Sequence, residues 1–178
     1  GYPFYEGFLF PGTYQLLREG FSPLPFIRES FDRYELWYET YADDISRSPY
    51  TAAEIVITAS MIQREAGSVQ EMPMIAGIIW RRLELDMPLG IDATTRYELN
   101  DWVNPLYRED LERHTPYNTR RRRGLPPTGI SQPGPQALHA ALFPSETDYL
   151  YYLHDQSGRI HYSRTYDEHL ELIRRYLR

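Results

Sequence analysis

One helix is marked at both ends by residues that start and stop helices. Thr51 and Glu54 have the spacing of a capping box, a reciprocal pair of side-chain bonds to backbone N–H groups, and Gly67 is a natural helix stop. Between these signals, apolar residues recur at helical spacing and cluster on one face: Ala52, Ile55, Ala59, Ile62 and Ala66. We therefore predict a buried helix that begins at Thr51 and ends before Gly67.

The rest of the chain contains further helical patterns and one hairpin pattern. Over residues 2–14, aromatic residues alternate with Gly and Pro, which is typical of extended structure and turns. Residues 149–153 and 160–163, separated by a turn at 155–158, predict a β-hairpin. Helical spacing predicts helices over residues 25–46, 69–85, 107–113, 136–143 and 166–177.

These elements predict an α+β fold, with several helices packed against a small, mostly antiparallel sheet that includes the C-terminal hairpin. The chain has no internal repeat and no low-complexity tract, so we treat residues 1–178 as one domain, with residues 1–50 as a helical or extended lead-in. Residues 88–135 are rich in Gly, Pro, Asn and Thr and predict a long irregular segment around one short helix. Long irregular segments in compact domains usually bind or catalyse, so we expect the active site to include this one.

Composition excludes several kinds of chemistry. The net charge of −6 and the pI near 5.4 argue against nucleic acid as a partner. Cysteine is absent and all 19 basic residues are arginine, which excludes thiolate sites and any lysine Schiff base, including that of pyridoxal phosphate. The five histidines show no metal-site spacing, and no run of about 18 apolar residues could span a bilayer. We expect no cofactor and no metal.

Glu65 lies at the border of the apolar face, near the C-terminal end of the predicted helix. The negative end of the helix dipole and partial burial both favour the protonated form, so we expect a raised pKa. A carboxylic acid that stays protonated near neutral pH can act as the general acid that cleaves a glycosidic bond. The alternative is a boundary residue that forms an ion pair with one of three nearby arginines: Arg64, Arg81 or Arg82. Position alone leaves both interpretations open.

Several short blocks follow one another along nearly the whole chain: EGFLFPGTY (residues 6–14), ASMIQRE (59–65), MPL (87–89), YNT (117–119), GLPP (124–127), ISQPG (130–134) and DYLY (148–151). In this order they resemble landmarks of the YceG-like (MltG) family of endolytic murein transglycosylases. Any one block would be weak, and the order of all of them carries the resemblance.

The resemblance implies both a reaction and the residue that performs it. In the family, the catalytic glutamate closes an Ala-Ser-Ile-Ile-Glu-Lys-Glu type of block, and the matching residue is Glu65, whereas the block's earlier glutamate is replaced by Gln63. The implied activity cleaves peptidoglycan strands between N-acetylmuramic acid (MurNAc) and N-acetylglucosamine (GlcNAc) without water. Glu65 would protonate the leaving oxygen and then, as carboxylate, take the proton of the sugar's own C6 hydroxyl. The product is a 1,6-anhydroMurNAc end.

The resemblance also points to Asp92 and Thr94 as substrate-binding residues. The family usually reads Leu-Gln-Thr-Asp-Pro-Thr here, and its Gln, Thr and Pro are replaced by Gly90, Ile91 and Ala93. Asp92 either shapes the cleft or caps the next helix, since Asp is a common N-cap residue.

Residues 117–119 complete the candidate site, and a run of four arginines follows them. A phenol, an amide and a hydroxyl, from Tyr117, Asn118 and Thr119, suit the hydroxyl and acetamido groups of a sugar. Asn and Thr are also common turn residues, but the family match favours substrate binding. The run Arg120–Arg123 is either a solvated loop or a docking site for an anionic partner: muramyl peptide carboxylates, teichoic polymers, lipid headgroups or nucleic acid. We leave its role open.

The implied partner is the peptidoglycan glycan strand, with peptidoglycan synthases as further candidates, at the extracytoplasmic face of the bacterial membrane. We expect an N-terminal membrane anchor and a LysM-like part upstream of this segment. Two other functions stay open: a non-catalytic glycan-binding or scaffolding module, and a two-carboxylate glycoside hydrolase that uses Glu65 with Asp92. Proteins of the family have also been labelled aminodeoxychorismate lyases, an activity that the absence of lysine argues against.

Overall fold

The structure, a computed structural model, describes residues 5–15 and 22–177 of the chain. Within these ranges it contains eight α-helices, one 3₁₀ helix and one two-stranded antiparallel sheet. The order is α1 (Pro23–Thr40), α2 (Ala42–Arg47), α3 (Ala52–Glu65), a 3₁₀ helix (Val69–Glu71), α4 (Met72–Glu84), α5 (Asp92–Leu99), α6 (Arg108–Glu112), α7 (Pro135–Leu142), β1 (Tyr151–His154), β2 (Ile160–Ser163) and α8 (Tyr166–Tyr176). The predicted class is confirmed, with helices dominant and a small hairpin near the C-terminus. Residues 2–4 of the predicted extended segment lie outside the described residues.

Helices α3, α4 and α7 form the centre of the core, and each contacts the other two. The predicted capping box starts α3: the backbone N–H of Glu54 donates to Thr51 Oγ1 at 3.3 Å, and that of Thr51 donates to Glu54 Oε2 at 2.8 Å. Trp80 of α4 donates its indole N–H to the carbonyl of Ala141 in α7 at 2.9 Å. Small buried residues allow α3 and α7 to approach closely: Ala59, Ala137, Ala140 and Ala141. These contacts hold the end of α3, and therefore Glu65, in place.

The polar residues of α3 attach it to the segment that precedes α7. Ser60 Oγ accepts the backbone N–H of Ile130 at 3.0 Å, and the Ser131 hydroxyl donates to the Ser60 carbonyl at 2.9 Å. One turn further along, Gln63 Oε1 accepts the backbone N–H of Gly134 at 2.9 Å. Because buried polar groups need partners, these bonds give Ser60 and Gln63 a structural role in an otherwise apolar helix.

The prediction of one helix over residues 25–46 was wrong, because the chain breaks at Tyr41 into α1 and α2. Tyr41 has φ −112° and ψ 16°, and its ring packs edge-on against His139 and Phe143 at the end of α7, with centroids 6.0 Å apart in each pair. We attribute the break to this tertiary contact, which local periodicity does not report. The helix predicted over residues 69–85 likewise starts as a 3₁₀ turn before continuing as α4.

The segment predicted as irregular over residues 88–135 contains a second helix, α5, in addition to the expected short helix α6. Helix α5 has little apolar periodicity, but Thr94 and Thr95 in its first turns are buried. The Thr94 hydroxyl donates to the Ile91 carbonyl at 2.7 Å, within the hydrogen-bonded start of the helix. Packing against α3 therefore stabilises a helix that the sequence pattern does not predict.

The predicted hairpin is confirmed, and it carries α8 on its surface. Strands β1 and β2 pair antiparallel with Tyr152 opposite Tyr162, and α8 contacts both strands. The ring of His161 stacks on that of Tyr176 with centroids 3.9 Å apart. Strand β1 lies beside the end of α3, where the Tyr152 hydroxyl donates to Glu65. Among the described residues, no helix combines the length and the apolar character that a bilayer crossing requires.

Candidate active site

Glu65 lines a polar cavity at the C-terminal end of α3. The cavity has a volume of about 540 Å³ and lies between the end of α3, the loop over residues 87–91, the start of α5 and strand β1. Its other charged and aromatic lining residues are Arg82, Asp92, Arg120, Tyr151, Tyr152, His154, Tyr166 and His169. The size and the mixture of aromatic and hydrogen-bonding groups suit a ligand of sugar dimensions.

The hydrogen-bond donors to the half-buried Glu65 side chain are uncharged. The hydroxyl of Tyr152 donates to Glu65 Oε2 at 2.8 Å. The backbone N–H of Ala93, in the first turn of α5, also donates to the carboxyl group. The carboxyl group is thus held by two donors from elements that are distant in sequence.

The alternative interpretation of Glu65, a boundary residue in an ion pair with an arginine, is not supported. Each of the three arginines has another partner. The Arg64 guanidinium lies 3.9 Å over the ring of Trp102, and Arg81 pairs with Glu84 at 3.0 Å. Arg82 donates to the carbonyls of Leu150 at 2.6 Å and Leu89 at 2.5 Å. Glu65 therefore faces the cavity without a guanidinium partner among the described residues.

Burial raises the pKa of Glu65 above its ordinary value, and the charge of Asp92 raises it further. The hydrogen bonds from Tyr152 and Ala93 and the charge of His154 lower it, but burial prevails. Burial, together with the neighbouring Glu65, also raises the pKa of Tyr152 well above its usual value. Tyr152 therefore remains a hydroxyl donor, and the raised pKa expected for Glu65 is confirmed.

Asp92 lines the same cavity and binds Arg120. Its Oδ1 accepts from Arg120 Nε at 2.9 Å and from Arg120 Nη2 at 2.6 Å. Asp92 is the first residue of α5, and no side chain caps that helix; the N-cap position belongs to Ile91. Of the two interpretations of Asp92, the structure thus favours a wall of the cleft over a helix cap.

The four other predicted substrate-binding residues are buried and bonded inside the protein. None is more than 3% exposed or lines the cavity: Thr94, Tyr117, Asn118 and Thr119. The Tyr117 hydroxyl bonds to Thr128 Oγ1, and Asn118 Nδ2 donates to the carbonyls of Leu111 and Arg113. Thr119 Oγ1 accepts the backbone N–H of Ile91 and lies 3.1 Å from Thr94 Oγ1. Contact of these side chains with substrate stays a prediction, whereas their internal bonds fix the loops around the cavity.

Sequence reasoning missed the residues that β1 contributes to the site. Tyr152 and His154 alternate with the buried Leu153, so both project to the same side of the strand. His154 Nε2 lies 2.9 Å from Glu71 Oε2, which also accepts the backbone N–H of Gly67 at 2.8 Å. The polar alternation within β1 was the available signal, but it does not say which element the strand faces.

A larger open groove, of about 1030 Å³, lies elsewhere, between α2, α4 and residues 142–149. Two of its carboxylates are neutralised, since Asp44 pairs with Arg47 at 2.7 Å and Glu84 with Arg81 at 3.0 Å. Across residues 5–15 and 22–177, no three His, Asp or Glu side chains lie close enough together to hold a metal ion. The Glu65 cavity is therefore the better candidate for proton-transfer chemistry.

Comparisons with known proteins agree with the resemblance found in the sequence. The model of the YceG-like family matches residues 2–175. The chain is similar to the endolytic murein transglycosylase of Bacillus subtilis, with 31% identity over 172 residues, which cover 97% of this chain and 48% of the relative. The protein of the same name from Streptococcus pneumoniae is 27% identical over 170 residues, which cover 92% of this chain and 31% of the relative.

A solved structure extends the agreement to the fold. The 2.6 Å crystal structure of a yceG-like protein from Listeria monocytogenes matches with a TM-score of 0.89 and 33% sequence identity, covering 94% of this chain and 55% of that one. The chain spans about half the length of the Bacillus relative and about a third of the Streptococcus one. The family match over nearly every residue, supported by the shared fold, shows that this chain belongs to the YceG-like family.

Proposed function

We propose that this chain is the catalytic domain of an endolytic murein transglycosylase, with Glu65 as its catalytic residue. The observation that carries the proposal is the environment of Glu65. It is a half-buried carboxyl group with a raised pKa, it faces a cavity of sugar dimensions, and no arginine of the described residues pairs with it. The names of the relatives from Bacillus and Streptococcus support the same reaction.

The reaction needs one group that first gives and then takes a proton. Protonated Glu65 donates its proton to the glycosidic oxygen as the bond from that oxygen to C1 of MurNAc breaks. The Glu65 carboxylate then removes the proton of the C6 hydroxyl of the same MurNAc, whose oxygen bonds to C1. The 1,6-anhydro ring forms, no water is consumed, and Glu65 ends protonated for the next cycle.

Tyr152 and Ala93 would make Glu65 suitable for both steps. Because Oε2 accepts the Tyr152 hydroxyl, the proton of the neutral acid resides on Oε1, the oxygen that must reach the substrate. Once that proton has left, both donors stabilise the carboxylate, which limits the free energy of the charged intermediate state in a buried site.

The residues predicted to bind sugar act in this proposal mainly as positioning residues. Asn118 and Thr119 hold the loop that leads to Arg120, and Thr94 and Thr119 hold the start of α5, whose Ala93 N–H reaches Glu65. Asp92 is the residue of the predicted set that borders the cavity and is available to substrate.

The two-carboxylate hydrolase is the less supported alternative. A second catalytic carboxylate must be free to activate water or to attack the sugar. In Asp92, Oδ1 already accepts two bonds from Arg120, so the oxygen is engaged in an ion pair.

The proposed substrate sets the proposed location. Peptidoglycan strands lie outside the cytoplasmic membrane, so the domain would act at the extracytoplasmic face, joined to a membrane anchor and a LysM-like part in the full-length protein. Peptidoglycan synthases are the corresponding candidate partners.

The test is digestion of purified glycan strands followed by mass analysis of their ends. Wild-type protein should release 1,6-anhydroMurNAc ends, and Glu65→Gln should reduce their release at least a hundredfold, since it removes the general acid. Glu39→Gln, an exposed glutamate near the end of α1, is the matched control and should retain activity. Reducing ends released by the wild type would identify a hydrolase, and intact strands would identify a binding module. Full activity in Glu65→Gln would contradict the assignment of Glu65 as the catalytic residue.

A further inference from the structure

The four arginines of the run over residues 120–123 have different surroundings. Arg120 lines the cavity that contains Glu65. Arg123 pairs with Asp86, outside that cavity, and Arg121 lies 3.5 Å from His114. Arg122 is exposed. The charge run is therefore not one uniform surface patch, and its first member belongs to the candidate active site.

Arg120 is the more exposed of the two arginines that line the cavity. Arg82 is half-buried, and its Nε and Nη1 bind the backbone carbonyls of Leu150 and Leu89. Arg120 directs Nε and Nη2 to a single oxygen, Oδ1 of Asp92, and Nη1 has no partner among the described residues. The two side chains are 41% and 48% exposed, and ion pairs this exposed contribute little to stability. The pair can thus admit a further anionic group at small cost.

The backbone of Arg120 is held by the buried residues that precede it. Its N–H donates to Asn118 Oδ1 at 3.0 Å, and the Asn118 amide donates to carbonyls of the α6 region. The carbonyl of Thr119 accepts the backbone N–H of Gly90 at 3.0 Å, and Thr119 Oγ1 accepts that of Ile91 at 2.9 Å. The guanidinium therefore starts from a fixed point beside the loop that forms the cavity wall.

The cavity is richer in positive side chains than the protein as a whole. Its lining contains the guanidinium groups of Arg82 and Arg120, and burial favours the uncharged form of Glu65, so Asp92 is the lining carboxylate that opposes them, within a chain of net charge −6. A ligand with one negative charge near the reacting sugar would neutralise the site.

We propose that Arg120, oriented by Asp92, forms a subsite for a carboxylate of the muramyl residue bound beside Glu65. The identity of the sugar rests on the proposed function, whereas the preference for a carboxylate rests on the geometry of Arg120. The carboxylate has two possible sources in peptidoglycan: the lactyl group of a strand without peptides, or the stem peptide of a substituted strand. A planar guanidinium with parallel N–H groups matches either one.

The test measures binding of full-chain protein to three glycan preparations by calorimetry. These are peptide-free strands with free lactyl carboxylates, the same strands with those carboxylates converted to methyl amides, and strands that carry stem peptides. Wild-type protein should bind one of the carboxylate-bearing preparations about tenfold more tightly than the methyl amide, a ratio equivalent to about 1.4 kcal/mol. Whichever preparation shows the preference identifies the source.

Variants of the charge run assign that preference to one residue. In Arg120→Ala the ratio should fall to about one, in Arg120→Lys a smaller preference should remain, and the matched control Arg122→Ala should keep the wild-type ratio. Equal binding of charged and uncharged strands by the wild type, or an unchanged ratio in Arg120→Ala, overturns the proposal. The two proposals can fail separately. Absence of anhydro products in the digestion experiment would contradict the proposed function, whereas the calorimetry tests the Arg120 subsite by binding alone.

Discussion

The hydroxyl of Tyr152 is the side-chain donor closest to the proposed chemistry, and its removal should have two separable effects. In Tyr152→Phe, Glu65 Oε2 loses a hydrogen bond that stabilises the charged form, so the pKa of Glu65 should rise further. A general acid works only while protonated, so activity falls as pH rises through this pKa. The alkaline limb of the pH–rate profile should therefore move to higher pH in the variant. The rate constant kcat should also fall roughly tenfold, because the acid is no longer oriented.

The measurement is release of anhydro ends as a function of pH. Tyr166→Phe removes a phenol that lines the same cavity and has no hydrogen bond to Glu65 in the structure, so its alkaline limb should stay in place. A limb that does not move in Tyr152→Phe, or that moves to lower pH, would contradict the role given to this hydrogen bond.

At the scale of single residues, the sequence predicts the position of Glu65 better than its surroundings. Its place at the end of a buried helix is predictable because helix phase and helix end are local properties of the chain, whereas its proposed catalytic role comes from the family resemblance. Its partner Tyr152 lies 87 residues away, on a strand whose orientation depends on the assembled fold. Asn118 shows a second limit: a polar residue in a loop suggests ligand binding, but its side chain donates to buried backbone carbonyls, and its contact with substrate stays a prediction.

At the scale of elements, the sequence predicts helices whose ends and faces are both marked. Helix α3 has a capping box and an apolar face, and its predicted extent agrees with the structure. Helix α5 has neither signal, and the sequence suggests it only through the interpretation of Asp92 as a helix cap. The break at Tyr41 was missed, because the aromatic periodicity continues through it while a contact with α7 sets the backbone.

Helix α4 approaches the segment that leads to the hairpin so closely at Gly77 that one added methyl group should destabilise the fold. A Cβ at Gly77 would lie well inside contact distance of the Ser145 carbonyl oxygen, and the Ser145 N–H donates to the Pro73 carbonyl at 2.9 Å. Gly77→Ala should therefore lower the free energy of unfolding by about 1–3 kcal/mol, despite the better helix propensity of alanine.

Urea denaturation followed by circular dichroism measures this change. Gly134→Ala is the comparison: an added Cβ there meets the side-chain oxygens of Gln63 and Gln136, at 3.3 and 3.6 Å, rather than a backbone atom, so its cost should be smaller. If Gly77→Ala were as stable as the wild type, the packing of residue 145 against α4 would be wrong.

At the scale of the whole molecule, Gln132 joins parts of the chain that are more than 120 residues apart. Its Oε1 accepts the backbone N–H groups of Gly7 at 3.1 Å and Leu9 at 2.9 Å, and its Nε2 donates to Glu6 Oε1 at 2.7 Å. The adjacent Ser131 is bonded to the Ser60 carbonyl in α3, the helix that ends at Glu65. One glutamine thus attaches the N-terminal segment to the loop that supports α3.

Removing this side chain should release the N-terminal segment while the helical core stays folded. In Gln132→Ala, the amides of Gly7 and Leu9 lose their acceptor, so their hydrogen exchange should accelerate at least tenfold, and the free energy of unfolding should fall by about 1–3 kcal/mol. Exchange of the Ile62 amide, within α3, should change far less, because its protection depends on the core. Gln136→Ala, an exposed glutamine of α7, should leave all of these rates unchanged. If Gly7 and Leu9 kept their protection in Gln132→Ala, the segment would be held by its other contacts, such as Phe8 against Tyr34 and the bonds between Phe10 and Ser30.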